Sequence, residues 1–327
     1  MENLFLSALK GDDHKGAPMW FMRQAGRYMN SYREVRKEYT MEQICHSPEL
    51  SSRIAYDAAR YLQTDAAIIF SDIMIPLENL GYNVKYVENT GPIPEKTGST
   101  TDQFVSYSGM AVRNFKANYP DIPVIGFVGG PLTLASYIIA SGPDGELKKT
   151  KEALIRDEDK TIELLGELTD VVIKDVKAQI SSGADAIQIF DSWLGFLDHN
   201  YAELAVKKTT RKIVDAISKS KVKSIYFSTG TSGMVDALIR SGADFLSLDW
   251  RCSLKEVSET FGSIGLQGNL DPSVLALSPE KAVEKGIQIA REMRDVNKFI
   301  FNLGHGILPE TKQENVKMLV RKIRDVV

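Results

Sequence analysis

Eight short apolar runs, set between segments of helical pattern within 327 residues, predict an α/β fold: a single-domain (β/α)8 barrel spanning residues 1–327. Two further observations support it. The runs show little in–out alternation, as expected of strands buried on both faces of a parallel sheet. Each run also ends on polar or glycine-rich residues, which in a barrel gather at one rim. A doubly wound open sheet would share the first of these features, but no GxGxxG follows the first run.

In chain order the runs are APMWFM (17–22), AAIIF (66–70), VIGFVG (124–129), AIQIF (186–190), SIYFS (224–228), FLSLD (245–249), IGLQG (264–268) and FIFNL (299–303). Three of them share a frame. TDAAIIFSD (64–72), GADAIQIFDS (183–192) and GADFLSLDW (242–250) each read aspartate, β-type run, second aspartate. Before the latter two, a Ser-Gly closes the amphipathic patterns VVIKDVKAQISSG and GMVDALIRSG, the signature of a helix-to-strand turn. Two connections are long. Residues 71–123, with PLENLGYNVKYVENTGPIPEK, predict an excursion after strand 2, a hairpin over the mouth. Residues 141–183 are charged and helical. KKTTRKIVDAISKSKVKS (207–224) keeps helical spacing and leads into a strand, so it is a solvated helix face rather than a nucleic-acid patch.

Composition is that of an ordinary globular chain: 43% hydrophobic, 25% charged, net charge −3, with no basic excess for nucleic acid or a membrane surface. The two cysteines, Cys45 and Cys252, make no CxxC or Cys/His cluster, so neither a disulfide framework nor a metal site is expected. No apolar run nears the roughly 20 residues that span a bilayer. MENLFLSALKGDDHKG is too short and polar for a secretory signal, which makes the cytoplasm the expected location.

The unusual residues sit at the strand ends. In MWFMRQAGRYMN (19–30) the stretch Arg23-Gln24-Ala25-Gly26-Arg27 follows buried strand, with Arg33 and Arg36 further on. Guanidinium forks suit carboxylates or phosphates, so the mouth expects an anionic substrate. Gly26 would allow an unusual backbone angle or a close approach. Asp72 ends the second run, either as an acid facing that substrate or as a cap or ion pair. Asp191-Ser192-Trp193 adds a hydroxyl and a second acid, unless Asp191 caps a helix. Tyr137 follows Gly-Gly-Pro, and His305 lies between two glycines at the last strand's end. No P-loop, HExxH, GxSxG or mid-strand lysine occurs, so proton transfer and charge stabilisation without cofactor are expected.

Taken together, PMWFMRQAGRY, IIFSDI, GFVGGPLTLASYI, IFDSWLG, LQGNLDP and NLGHGILPETKQENV closely resemble the uroporphyrinogen decarboxylase family, in family order from residue 18 to 316. The resemblance implies a (β/α)8 barrel, usually a homodimer with facing clefts. It implies removal of carboxyl groups from the four acetate side chains of uroporphyrinogen III to give coproporphyrinogen III, in haem biosynthesis, with neither metal nor prosthetic group. By the same resemblance Arg23, Gln24, Arg27 and Arg36, with Ala25 and Gly26 between them, line the cleft for substrate carboxylates. Asp72 would reach the pyrrole N–H groups, and Tyr137, Ser192 and His305 would hydrogen-bond substrate side chains. Asp72, Arg23, Tyr137 and His305 are the implied catalytic set, with the proton donor left open among Arg23, Tyr137, His305 and water. The chain departs from the family's common pattern at Met29-Asn30-Ser31, at Ala140-Ser141-Gly142 and at Thr311-Lys312, none of which carries an assigned role. Three rivals share parts of the pattern: a zinc-dependent, cobalamin-linked methyltransferase, a non-catalytic tetrapyrrole-binding paralogue and a sugar-phosphate barrel. The first lacks a His/Cys cluster and the third a phosphate loop, while Asp72 and His305 speak against the second.

Overall fold

The computed structural model describes residues 3–87, 90–98 and 103–327. Residues 88, 89 and 99–102 of the expected excursion, and the first two of the N-terminal stretch, lie outside them. Strand β1 is Ala67–Ile68, and an antiparallel hairpin pairs β2 (Tyr82–Val87) with β3 (Gly91–Lys96). Then follow β4 (Val124–Gly129), β5 (Ala186–Phe190), β6 (Lys223–Phe227), β7 (Phe245–Ser247), β8 (Gly265–Leu270) and β9 (Phe299–Leu303). The strands β1, β4, β5, β6, β7, β8 and β9 form one curled parallel sheet in that order.

The first run differs from expectation. It contributes only a parallel bridge, Met19 to Phe301, rather than a ladder. Backbone bonds still tie it on both sides, since Pro18 O accepts from Phe301 N–H and Met19 O from Asp65 N–H, each at 2.8 Å. Its own N–H groups go to side chains. Met19 donates to Asp65 Oδ2 (2.8 Å), Phe21 to Gln24 Oε1 (3.2 Å) and Met22 to Asn302 Oδ1 (3.1 Å). Buried N–H groups must be paired, and here side-chain carbonyls and a carboxylate replace a neighbouring strand. The residues between β9 and β1 therefore close the barrel as a seam. A similar substitution occurs on β4, where the Phe127 N–H and C=O, beyond the end of short β1, both bond the Gln179 amide at 2.8 Å.

The repeated aspartate frame has a structural meaning at its first position. Asp65, Asp185 and Asp244 each precede a strand and accept from a backbone N–H of the neighbouring strand or seam: Met19, Val124 and Ser224 respectively. Each also holds a cation, Arg324, Lys116 and Lys223, at 2.6, 2.9 and 2.8 Å. The glycines before the latter two, Gly183 and Gly242, take the left-handed angles the helix-to-strand turn requires, with φ of 101° and 76°. Inside the barrel Trp20, Gln188, Ser247 and Gln267 form a buried polar layer, with Gln267 bonding all three others at 2.8–3.1 Å. Among the described residues no helix is long and apolar enough to cross a membrane.

Candidate active site

The second positions of the frame, and the other strand ends, meet at the opposite rim. Arg23 leaves the seam in a left-handed conformation, φ 58°, unusual for a residue with a side chain. The sequence places that freedom at Gly26, but the structure puts it at Arg23. What makes room is Gly306: a Cβ there would lie 2.4 Å from Arg23 Cδ and 2.9 Å from its Nε. The arginine stem lies across that glycine. Its guanidinium is held below the ordinary value, first by enclosure and then by Arg27, with Tyr137 and Asp72 opposing. Arg23 as a whole is nonetheless exposed, so solvent weakens the pull of desolvation.

Asp72 follows β1, half-buried, with Oδ1 accepting from Met74 N–H at 2.8 Å. Removal from water raises its pKa to about 6, against the opposing Met74 bond and the Arg23 charge. Among the described residues no ion pair within 4 Å neutralises it. Tyr137, on the helix Pro131–Ala140 after β4, stands within electrostatic reach of both Asp72 and Arg23. Burial, then the Asp72 charge, push its hydroxyl pKa up.

His305 completes the group. Its Nδ1 accepts from Gly306 N–H at 2.7 Å, so the neutral ring carries its proton on Nε2. Burial, then Arg23, lower its pKa to about 4, with Arg251 adding to the effect and Asp249 opposing it. The ring is neutral at pH 7, a hydrogen-bond donor through Nε2. It packs edge-on against Phe227, whose ring meets Phe190, which in turn meets Phe127, at centroid distances of 5.9, 5.8 and 5.6 Å. An aromatic row thus lies at the foot of the charged rim.

Other expected site residues are placed differently. Gln24 is 1% exposed, and its amide bonds Phe21 N–H and Ala66 O, so its side chain is spent inside the wall as a positioning group. Ala25 is buried and Gly26 half-buried in the same loop. Arg27 is exposed beside Arg23, while Arg33 braces the loop by donating to Arg27 O and Tyr28 O at 3.1 and 3.2 Å. Arg36, exposed on the helix Asn30–Glu38, donates to Tyr39 O and lies beside the Tyr32 hydroxyl. Ser192 is half-buried at the end of β5, where its carbonyl accepts from Thr229 Oγ1 at 2.8 Å. Asp191 caps a helix, though a neighbouring one. Fully buried, it accepts from Thr133 N–H (3.1 Å) and Oγ1 (2.8 Å) at the start of Pro131–Ala140, and from Tyr226 Oη at 3.3 Å.

Several site residues have weak signals in sequence. Cys45 and Tyr86 back onto Asp72, although nothing in their spacing joins them. Burial, then the Asp72 charge, raise the Cys45 thiol to about 12, and Tyr86 is raised likewise, so both stay neutral behind the carboxylate. Ser71 Oγ and Tyr86 Oη have no partner at hydrogen-bond geometry, even though the thiol lies close enough to both to be affected by them. The aromatic row could have been found: Phe190 and Phe227 are the last residues of β5 and β6. Among the described residues no cluster of three His, Cys, Asp or Glu could hold a metal ion.

Comparison with known proteins places the chain in a family. The family model of uroporphyrinogen decarboxylase matches residues 1–326. The uroporphyrinogen decarboxylase of Picrophilus torridus is 40% identical over 333 aligned positions, covering 99% of each chain. That of Thermus thermophilus is 35% identical over 338 positions, covering 100% of this chain and 98% of the relative. Among solved structures, a methyltransferase from Methanosarcina mazei superposes with a TM-score of 0.78 at 18% identity, covering 98% of this chain and 97% of that one. A B12-independent methionine synthase from Shewanella gives 0.61 at 13% identity, covering 88% and 91%. At such identities these two speak for the barrel fold alone.

Proposed function

The chain belongs to the uroporphyrinogen decarboxylase family, and from that premise we propose that its mouth removes carboxyl groups from the four acetate side chains of uroporphyrinogen III, yielding coproporphyrinogen III for haem biosynthesis. The observation that carries this is the grouping of a raised, unpaired Asp72 with Arg23, Tyr137 and a neutral His305.

Each role follows from charge. The substrate carboxylates meet Arg23 and Arg27, and its apolar ring faces the row Phe127, Phe190, Phe227. The ring carbon next to the one bearing an acetate is protonated, and the ring becomes cationic. The bond between the acetate methylene and its carboxyl carbon breaks, its electrons forming an exocyclic double bond to the ring as CO2 leaves. Protonation of that methylene, with loss of the added ring proton, gives the methyl group and restores the pyrrole. The ring is thus its own electron sink, and no cofactor is called for. Asp72, ionised above pH 6, stabilises that cation more than the neutral ground state, which lowers the barrier. Preorganised charge of this kind is worth about 3–4 kcal/mol. Tyr137, Ser192 and His305 orient the side chains.

The scheme admits Arg23, Tyr137, His305 or water as the proton donor. Burial and Arg27 lower the Arg23 pKa, burial and Asp72 raise that of Tyr137, and these directions do not rank the two as acids. One (β/α)8 domain, a homodimer with facing clefts and a cytoplasmic location complete the proposal, as the family resemblance implies.

Anaerobic incubation with uroporphyrinogen III, followed by oxidation and chromatography, tests it. Porphyrins of seven, six, five and four carboxyl groups should accumulate, and Asp72→Asn should be slowed at least tenfold. An equally active Asp72→Asn would remove the cation-stabilising role. A folded wild type that binds substrate without turnover would overturn the activity.

A further inference from the structure

His305 is bracketed by glycines, and each gives way to a different wall. Gly306 receives Arg23. Gly304 receives the loop after β7: a Cβ at 304 would lie 2.8 Å from both Trp250 N and Trp250 Cε3 and 2.9 Å from Asp249 Cα. Arg251 projects from that loop. Asp249, 3% exposed, accepts from Gly230 N–H (2.6 Å) and Arg251 N–H (3.0 Å) and holds Arg251 Nη1. The guanidinium lies over the Trp250 ring, 4.7 Å from its centroid. Charge and plane are thereby fixed before any ligand arrives, while the Arg251 side chain remains 49% exposed. Among the described residues no other hydrogen bond takes its remaining donors.

A guanidinium has donors on two edges and can serve two carboxylates. One edge here faces Asp249. We propose that Arg251 is a substrate-binding residue, its free edge taking a carboxylate side chain of the tetrapyrrole on the side of His305 away from Arg23. This rests on the function proposed above. The ring would then be gripped from two walls, with His305 between them, and Arg251 would set how the macrocycle is turned when each acetate is presented. Stacking on Trp250 reduces the side-chain freedom lost on binding, which favours a preformed anchor over a mobile surface arginine.

Equilibrium titration with uroporphyrin, followed by its absorbance, tests the anchor without requiring turnover. Arg251→Gln should weaken binding about tenfold, the usual scale for one charge-assisted pair, and Arg251→Lys should recover part of it. In turnover the loss should fall mainly on KM, and kcat/KM should depend less steeply on salt than in the wild type. Wild-type binding by Arg251→Gln would overturn the proposal and leave Arg251 as a partner of Asp249 only. Should Arg251→Gln fail to fold, the pair Asp249→Asn with Arg251→Gln removes both charges together and the same titration decides. A wild type that binds uroporphyrin but does not decarboxylate uroporphyrinogen would sink the activity and leave this anchor standing or falling on the titration.

Discussion

The two ends of the barrel use the same residue for opposite purposes. At the N-terminal ends of the strands Asp65, Asp185 and Asp244 each hold a cation and a neighbouring N–H, so their charge is spent on joining elements. At the C-terminal rim Asp72 has one backbone bond and no ion pair within reach among the described residues, and burial raises it to about 6. Asp244, by contrast, is lowered: its burial opposes, but Lys223 and Ser224 prevail. Asp65, more deeply enclosed than Asp244, is raised by burial even though Arg324 and the Met19 N–H oppose it. What sets Asp72 apart is therefore the want of an ion-pair partner, which leaves it available to a substrate.

The largest expected effect falls at the rim. Asp72→Asn should lose at least tenfold in turnover, and as much as the roughly hundred- to thousandfold common for a preorganised charge. Its stability should move the other way. A carboxyl whose folded pKa is raised costs stability once pH passes that pKa, so Asp72→Asn should gain about 1–2 kcal/mol above pH 6 and nothing below pH 4 in urea unfolding. Loss of both activity and stability would erase the contrast between the ends.

At the other end the signs reverse. Asp185→Ala strands the buried Val124 N–H and the Lys116 ammonium, so unfolding free energy should fall by about 2–3 kcal/mol with turnover per folded molecule unchanged. A drop in turnover there would tie the lower ring to the chemistry.

The pH profile sharpens the comparison further. Turnover should decline as pH falls through about 6, where Asp72 takes up its proton, and Asp72→Asn should lack that limb. His305, with a pKa of about 4, should add its own loss only in more acidic solution. An acid limb near 6 that persists in Asp72→Asn would assign it elsewhere. The smallest effect belongs to Asp244→Asn. It keeps an acceptor for Ser224 N–H and loses only a part-exposed ion pair, costing about 1 kcal/mol or less, and less still in high salt.

The frame of paired aspartates explains what sequence could and could not convey. Alternating apolar runs and helices mark β4, β5 and β9 to the residue, because a strand buried on both faces must be apolar throughout. The seam at 17–22 is equally apolar yet forms no ladder, since its partners are the side chains of Gln24, Asp65 and Asn302, whose roles no local pattern encodes. Arg23, Asp72 and His305 stand out in sequence because charge or an imidazole stands where a barrel opens, whereas Tyr137 stands out only through the family resemblance. Gln24 and Asp191 carry the same polar signature, but it marks interior stitching, and only three-dimensional burial tells the two uses apart. Arg251 carries no local signal that sets it apart from other polar residues beyond a strand end. What distinguishes it is Gly304, fifty-odd positions away, on which its loop rests.

The seam has one more implication. Among the described residues, 17–22 lie along the flanks of β1 and β9 that no strand of the sheet pairs, and Arg23 is the next residue along. Were this segment to peel away, two strands would present raw, unpaired borders to other molecules, an invitation to edge-to-edge association. The same event would carry off the arginine. Protection against clumping and readiness for substrate thus hang on one short stretch of chain.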